Sequence, residues 1–333
     1  MCPLLLALYG HPESGGYWEQ HCEAHLLSVG FENIPDWRSC YYHKRLDLFL
    51  VVYVDDFKLS GPATTIKEGW QLIRKGIRMD DPVNFGLYLG CYHEEFEMAL
   101  NGAVKGKVRG MSYNMQAYLE NTVAKYRILA GPGFQLKPAA TPFLSADDSG
   151  GVFAPAGDGP WTECPWCQGR FADEHFVKGK GSGALRSTAK VKPLLDANDL
   201  KRKEEGQQTD RGQLDKTAMK VLMSVLYAAM MARFDLLRAV GALATKVTKW
   251  NSQCDRGLHR LMCYINSSLH LRQVGWIGDT RKDLCPHLYA DADFAGCKET
   301  ARSTTGVHPN IQGAYSSFPL MGISKKQSFH TGG

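Results

Sequence analysis

The hydrophobic positions of the first 143 residues predict a mixture of strands and helices. Residues 46–54 (LDLFLVVYV) are apolar on both faces of an extended chain, which is typical of a central buried strand. The chain continues through Asp55, Asp56 and FKLSG, so the pattern predicts a hairpin with two acids at its tip. Residues 64–75 carry apolar side chains at helical spacing. Similar patterns predict further helices over 18–29 and 115–129, and further strands over 39–42, 84–96 and 104–113.

The rest of the chain begins with a polar stretch and then becomes helical. Residues 131–212 are rich in Gly, Pro, Ser, Lys and Asp, which indicates a linker or long loop. Residues 214–250 and 255–271 have helical patterns. Short strands are predicted over 285–291, 304–311 and 314–318. The predicted fold class is therefore α+β, with an antiparallel sheet that carries the acidic hairpin.

Composition changes this picture little but excludes several classes of protein. The chain has 333 residues, of which 44% are hydrophobic and 22% charged, as in ordinary globular proteins. A disordered chain, a collagen and a coiled-coil rod are excluded. The longest near-apolar run, 221–232, is too short for a membrane helix, which needs about 20 residues. The first ten residues lack the basic segment of a secretory leader, so no membrane partner is expected.

The net charge bears on the partners of the protein, and its cysteine content bears on its cellular compartment. The net charge of +5 permits a polyanionic partner without requiring one. Residues 178–203 contain eight basic and two acidic side chains, which fits a solvated surface segment better than a dedicated nucleic-acid patch. Ten Cys are too few for a disulfide scaffold, which indicates a reducing, intracellular compartment. Cytoplasm and nucleus remain open alternatives.

The sharpest motif is Tyr53-Val54-Asp55-Asp56. Two adjacent carboxylates after a buried strand repel each other, and a divalent cation relieves that repulsion. Two-metal phosphoryl transfer uses such oxygen ligands to clamp the attacking and leaving oxygens. The alternative is an ordinary polar hairpin turn, in which Asp is common.

The sequence before and after this motif favours a functional site over an ordinary polar turn. Leu8-Tyr9-Gly10, Ser14 and Tyr17-Trp18 precede the acids by about 40 residues. This arrangement resembles the reverse transcriptase of copia-type LTR retrotransposons, in which an LYG…S…W motif precedes a YVDD hairpin. Other segments resemble the same family in the same order: NFGLYLGCY at 84–92, ATP at 140–142, the helix at 221–243, 259–266, LYADADFAG at 288–296, RSTTG at 302–306 and SKKQ at 324–327.

The resemblance implies a fold and a division into segments. Residues 1–143 would be a partial polymerase palm and thumb region, and 144–212 a flexible insert. Residues 213–284 would be a helical connection, and 285–333 the start of an RNase H-like domain.

The resemblance also implies an activity and its residues. The family is an RNA-directed DNA polymerase with a tethered RNase H, and its partners are an RNA template, a DNA primer and deoxynucleoside triphosphates. Asp55 and Asp56 would be catalytic ligands of Mg²⁺ or Mn²⁺. Gly10, Ser14 and Tyr53 would line the nucleotide or template pocket. Asp291 would be the first acid of the RNase H site.

Departures from the family pattern predict an inactive fragment. The family has a further catalytic Asp upstream of the LYG motif and further RNase H acids after the KKQ segment, and neither has a counterpart in these 333 residues. Pro12-Glu13 also stands where the family often has Lys-Gln. The expectation is therefore ancestry of a polymerase without its activity. The alternatives are a catalytically dead nucleic-acid-binding remnant and a pseudogene product without function.

A second candidate site lies in the polar segment. Cys164 and Cys167 have the spacing of a zinc knuckle, and His175 could be a third ligand. A structural zinc ion needs four ligands, and no fourth His or Cys follows nearby. A plain loop with two free thiols is the alternative, and the sequence favours it.

Overall fold

The computed structural model describes residues 10–99, 107–143, 161–163, 170–172, 211–293 and 302–328. The chain divides into two compact units. The first comprises Met1–Ala99 and Arg109–Asn114, and the second comprises Leu100–Val108 and Met115–Gly333. The combination of helices with antiparallel sheets confirms the predicted α+β class. The four segments predicted from the sequence stay a prediction.

The first unit contains a four-stranded antiparallel sheet, two helices and a second group of strands. Its elements are helix α1 (Ser14–Ser28), strands β1 (Glu32–Ile34), β2 (Trp37–His43), β3 (Leu48–Tyr53) and β4 (Asp56–Ser60), helix α2 (Ala63–Arg74), and strands β5 (Leu87–Tyr88), β6 (Cys91–Ala99) and β7 (Lys107–Asn114). Strands β1 to β4 pair in chain order, each with the next, so this sheet is built from successive hairpins.

The core of the first unit explains why β3 is apolar throughout. Leu48 and Leu50 are fully buried on one face of the sheet, against α1 and α2. Val52 and Phe57 are partly buried and pack on the same core. Helix α2 approaches β3 closely because Gly69 faces Leu48 without a side chain of its own. The strand that ends at the acidic motif is thus anchored along its length.

The second unit combines a helical layer with a sheet. Its helices are α3 (Gln116–Ala130), α4 (Ala218–Met231), α5 (Leu237–Ala244) and α6 (Ser252–Ser267). Helix α4 is apolar over most of its surface and packs against α3 and α5. Helix α6 begins at the cap residue Asn251, whose side chain accepts a hydrogen bond from the Cys254 amide at 2.9 Å.

The sheet of the second unit is antiparallel. It contains β10 (Gln273–Ile277), β11 (Cys285–Ala292), β12 (Thr304–Gly313), β13 (Ser316–Pro319) and β14 (Ile323–Lys326). Strand β11 pairs along its whole length with β12, which also pairs with β13 and β14. All eight residues of β11 are exposed.

Two elements predicted as continuous are interrupted. The predicted strand over 84–96 is a hairpin of β5 and β6, because Leu89 and Gly90 turn the chain with positive φ angles. The predicted helix over 214–250 ends at Met231 and resumes at Leu237. The break follows from Arg233, whose buried guanidinium donates to Asp235 and to the Ser268 carbonyl oxygen instead of extending into solvent.

Three further strands, β1, β10 and β14, are not predicted by the sequence pattern. Within the segment predicted as a linker, β8 (Trp161–Glu163) and β9 (Arg170–Ala172) pair as a short antiparallel hairpin. None of the described helices is both long and apolar enough to span a lipid bilayer.

Candidate active site

The two acids lie at a tight hairpin. Tyr53 pairs with Asp56, so the turn between β3 and β4 consists of Val54 and Asp55 alone. The favoured two-residue hairpin turns have a positive φ at their first central position or at both, and Val54 has a φ of 55°. This conformation is costly for a β-branched residue. The strand register therefore places two adjacent acidic residues at the turn, beyond the end of a buried strand.

Both carboxylates are exposed, and no described Lys, Arg or His forms an ion pair with either of them. Two unit charges about 4 Å apart in water repel by about 1 kcal/mol. A repulsion of this size is tolerable in the folded protein, and a bound cation would remove it. The turn therefore fits a cation site, although it does not need one in order to fold.

Helix α1 supports the turn from the side. Trp18 Nε1 donates a hydrogen bond to the Val54 carbonyl oxygen at 2.7 Å. The same indole lines a cavity of about 300 Å³ between α1 and the ends of β2 and β3. Its other lining residues are Gly15, Glu19, Cys22, Ser39, Tyr41, Val52, Tyr53 and Val54. The hairpin is thus a wall of a cavity as well as an exposed tip.

The titratable side chains that line this cavity include those of Glu19, Cys22 and Tyr41. Burial, with a smaller contribution from Glu23, raises the pKa of the Cys22 thiol to about 11. Burial is also the main reason that the pKa of Tyr41 rises to about 12. Both groups are therefore neutral at physiological pH, and Glu19 is the one acidic residue among those that line the cavity.

The predicted pocket residues are only partly brought together. Tyr53 lines the cavity. The glycine in the lining is Gly15 rather than Gly10. Ser14 is the first residue of α1, and its amide donates to the His11 carbonyl oxygen at 3.0 Å. Gly10 is exposed, with a φ of 89°. The predicted pocket residues Gly10 and Ser14 thus mark the beginning of α1, while the residues that follow on α1 line the cavity.

Asp291, the predicted first acid of an RNase H site, lies on the exposed strand β11 opposite Gly306. It lines an open groove of about 870 Å³ together with Asp293, Arg238 and His308. Asp293 accepts hydrogen bonds from Arg238 Nη2 at 3.2 Å and from the Thr304 amide at 2.6 Å. The charge of Asp293 is therefore compensated, whereas Asp291 accepts a hydrogen bond only from the neighbouring Ala292 amide among the described residues.

The predicted zinc ligands Cys164, Cys167 and His175 lie outside the described residues. The zinc site therefore stays a prediction. Within the described parts of the chain, no three His, Cys, Asp or Glu side chains come together in a way that could hold a metal ion.

No protein-family model, no curated protein and no solved structure matches this chain. The assignment to a family consequently depends on the motifs in the sequence, and the chemistry of the site depends on the geometry given above.

Proposed function

We propose that this chain derives from the RNA-directed DNA polymerase and tethered RNase H of a copia-type retrotransposon. In this proposal Asp55 and Asp56 still form a divalent-cation site, while nucleotide incorporation by this chain is absent. The observation that carries the proposal is the hairpin, in which two exposed acids directly follow a buried strand with a Tyr53–Asp56 register. Its finer architecture, a partial palm followed by a helical connection and the start of an RNase H-like domain, belongs to the same proposal.

The donor set fits magnesium or manganese. Both ions prefer carboxylate oxygens, and the turn offers two carboxylates without a competing basic partner among the described residues. When bound in a polymerase, such an ion neutralises charge on the transferred phosphoryl group. Here the chain itself would hold the ion at Asp55 and Asp56, and Trp18 would hold the turn.

A catalytically dead nucleic-acid-binding remnant is the second candidate. Its support lies in the sequence, in which residues 178–203 carry eight basic and two acidic side chains and the net charge is +5. Binding through Lys and Arg to phosphates would be independent of nucleotide sequence and would weaken steeply as salt is added.

Primer extension on a poly-rA template with Mg²⁺ or Mn²⁺ tests the inactivity that both alternatives share, and retention of the primer–template in the same samples separates them. The matched control is the variant Asp55→Asn/Asp56→Asn, which keeps the size of both side chains. We expect no incorporation by either protein. Incorporation that the control abolishes would overturn the proposed inactivity and establish a working polymerase. Salt-sensitive retention of the primer–template without extension would favour the binding remnant.

A further inference from the structure

A lysine in the first unit has surroundings unlike those of an ordinary surface amine. Lys58 lies on β4 and is half-buried, with Nζ 5.0 Å from the centre of the Tyr88 ring and 5.7 Å from that of Phe85. Its Nζ is 2.8 Å from Nδ1 of His93 on β6. No described carboxylate forms an ion pair with it. Two aromatic faces and one imidazole thus replace the usual hydration of an ammonium group.

His93 is part of the same cluster and has an unsatisfied nitrogen. The residue is only 5% exposed, and its ring lies edge-on to Tyr113 with 4.9 Å between centroids. Burial and the neighbouring Lys58 lower the pKa of His93 to about 4, so the imidazole is neutral at physiological pH. If Nδ1 accepts from Lys58, Nε2 carries the proton, and Nε2 has no hydrogen-bond partner among the described residues.

We propose that Lys58 is a nucleophilic amine that forms an imine with a small planar aldehyde lying against the Phe85 and Tyr88 rings. The Phe85 side chain is 49% exposed, so the aromatic side of the cluster is open to solvent. Flat aromatic molecules stack on such rings. This site does not involve Asp55 or Asp56, and it extends beyond the proposed function.

The reaction balances without a further reagent. The Nζ lone pair forms a bond to the carbonyl carbon, and one amine proton moves to the carbonyl oxygen to give a carbinolamine. The C–O bond then breaks, the oxygen leaves as water with the second amine proton, and a C=N bond remains. His93 Nδ1 already hydrogen-bonds to Nζ, which makes it the nearest base for these proton transfers.

Desolvation gives the physical reason for nucleophilicity. Burial lowers the pKa of Lys58, an effect that the nearby Cys91 opposes only partly. Burial also raises the pKa of the Cys91 thiol to about 11, so Cys91 is neutral and offers no full counter-charge. A larger fraction of Lys58 than of an exposed lysine is therefore unprotonated, and the unprotonated amine is the reactive form.

The test compares two lysines within the unmodified 333-residue chain. Benzaldehyde is the probe, sodium cyanoborohydride traps the imine, and peptide mass spectrometry measures labelling at Lys58 and at Lys67, which is exposed on α2. We expect Lys58 to be labelled faster than Lys67 at neutral pH, because burial lowers the pKa of Lys58. Its labelling should also reach half its maximum at a lower pH. In urea the two rates should become equal.

Equal or slower labelling of Lys58 in the folded chain would overturn the proposal. Acetaldehyde, which has no ring, tests the stacking component and should lose the preference for Lys58. The variant Phe85→Leu should reduce the benzaldehyde rate at Lys58 without changing that at Lys67. Because the comparison of the two lysines is internal, it decides the question even if this variant fails to fold.

Discussion

Trp18 and Val54 are joined by a hydrogen bond from the indole nitrogen to the turn carbonyl oxygen, 2.7 Å long and spanning 36 positions of the chain. It connects the first helix to the turn that carries the acids. The residue whose carbonyl is fixed has a positive φ, so the helix holds the turn at its least favourable backbone position.

Removing this bond should loosen the turn. Trp18→Phe keeps an aromatic ring but lacks the donor, and we expect the free energy of unfolding to fall by about 0.5–1.5 kcal/mol. Urea denaturation measures this change. Trp37→Phe is the control, because Trp37 is exposed on β2 and packs its ring against Phe49. An equal decrease in the free energy of unfolding of the two variants would contradict a supporting role for the indole nitrogen.

Val54→Gly should stabilise the hairpin. A left-handed backbone conformation costs an L-residue roughly 1–2 kcal/mol, and glycine does not incur this cost. The greater freedom of glycine in the unfolded chain offsets part of the gain, which leaves about 0.5–1 kcal/mol. Val54 is 64% exposed, so little packing is lost. A variant less stable than the parent in urea would show that the turn is not strained.

Gly69→Ala should destabilise the first unit. A Cβ at this position would overlap Leu48 Cδ1 and lie 3.1 Å from Leu59 Cδ2. Overpacking costs roughly 1–3 kcal/mol, and the higher helix propensity of alanine returns up to about 1 kcal/mol. Gly16→Ala on α1 is the matched control, because a Cβ there meets nothing within 4 Å. We expect urea denaturation to show opposite signs for the two substitutions, and a stabilising Gly69→Ala would contradict the close approach of α2.

Protonation of His93 in acid should lower the stability of the first unit. The pKa of this side chain falls from 6.5 to about 4 on folding, mainly because of burial and secondarily because of Lys58. Its contribution to stability is therefore complete above pH 6.5 and is lost as the pH falls towards 4. The expected loss is roughly 3 kcal/mol.

Urea denaturation at a series of pH values checks this expectation. His93→Phe, which removes the titrating group and keeps a ring, should flatten the profile between pH 6.5 and 4. His21→Gln, on the exposed face of α1, is the control. If the stability of His93→Phe fell with pH as steeply as that of the parent, His93 would not be the source of the acid sensitivity.

The elements predicted well from the sequence are those whose pattern is local. The apolar run of β3 and the helical spacing of α2 are properties of adjacent residues, and burial of Leu48 and Ile73 follows from them. The break after Met231 could not be predicted in the same way. It depends on Arg233, whose partner Ser268 lies 35 positions away.

The candidate site, too, could be predicted only where its residues are adjacent in the sequence. Asp55 and Asp56 were identified from two adjacent acids after an apolar strand, and the structure places both at the hairpin. The cavity beside them was not predicted, because α1 and the end of β3 are distant in sequence and meet only after folding. The sequence signal that could have indicated it is Trp18, an indole near the start of a helix that otherwise buries few residues.

The most direct test of the central claim is Mn²⁺ binding to the full chain, followed by electron paramagnetic resonance. We predict saturable binding that becomes at least roughly tenfold weaker in Asp55→Asn/Asp56→Asn, which corresponds to about 1.4 kcal/mol. Asp80→Asn/Asp81→Asn, another pair of adjacent acids in the first unit, should leave it unchanged. Equal binding by the parent and the hairpin variant would contradict a cation site at the acidic hairpin.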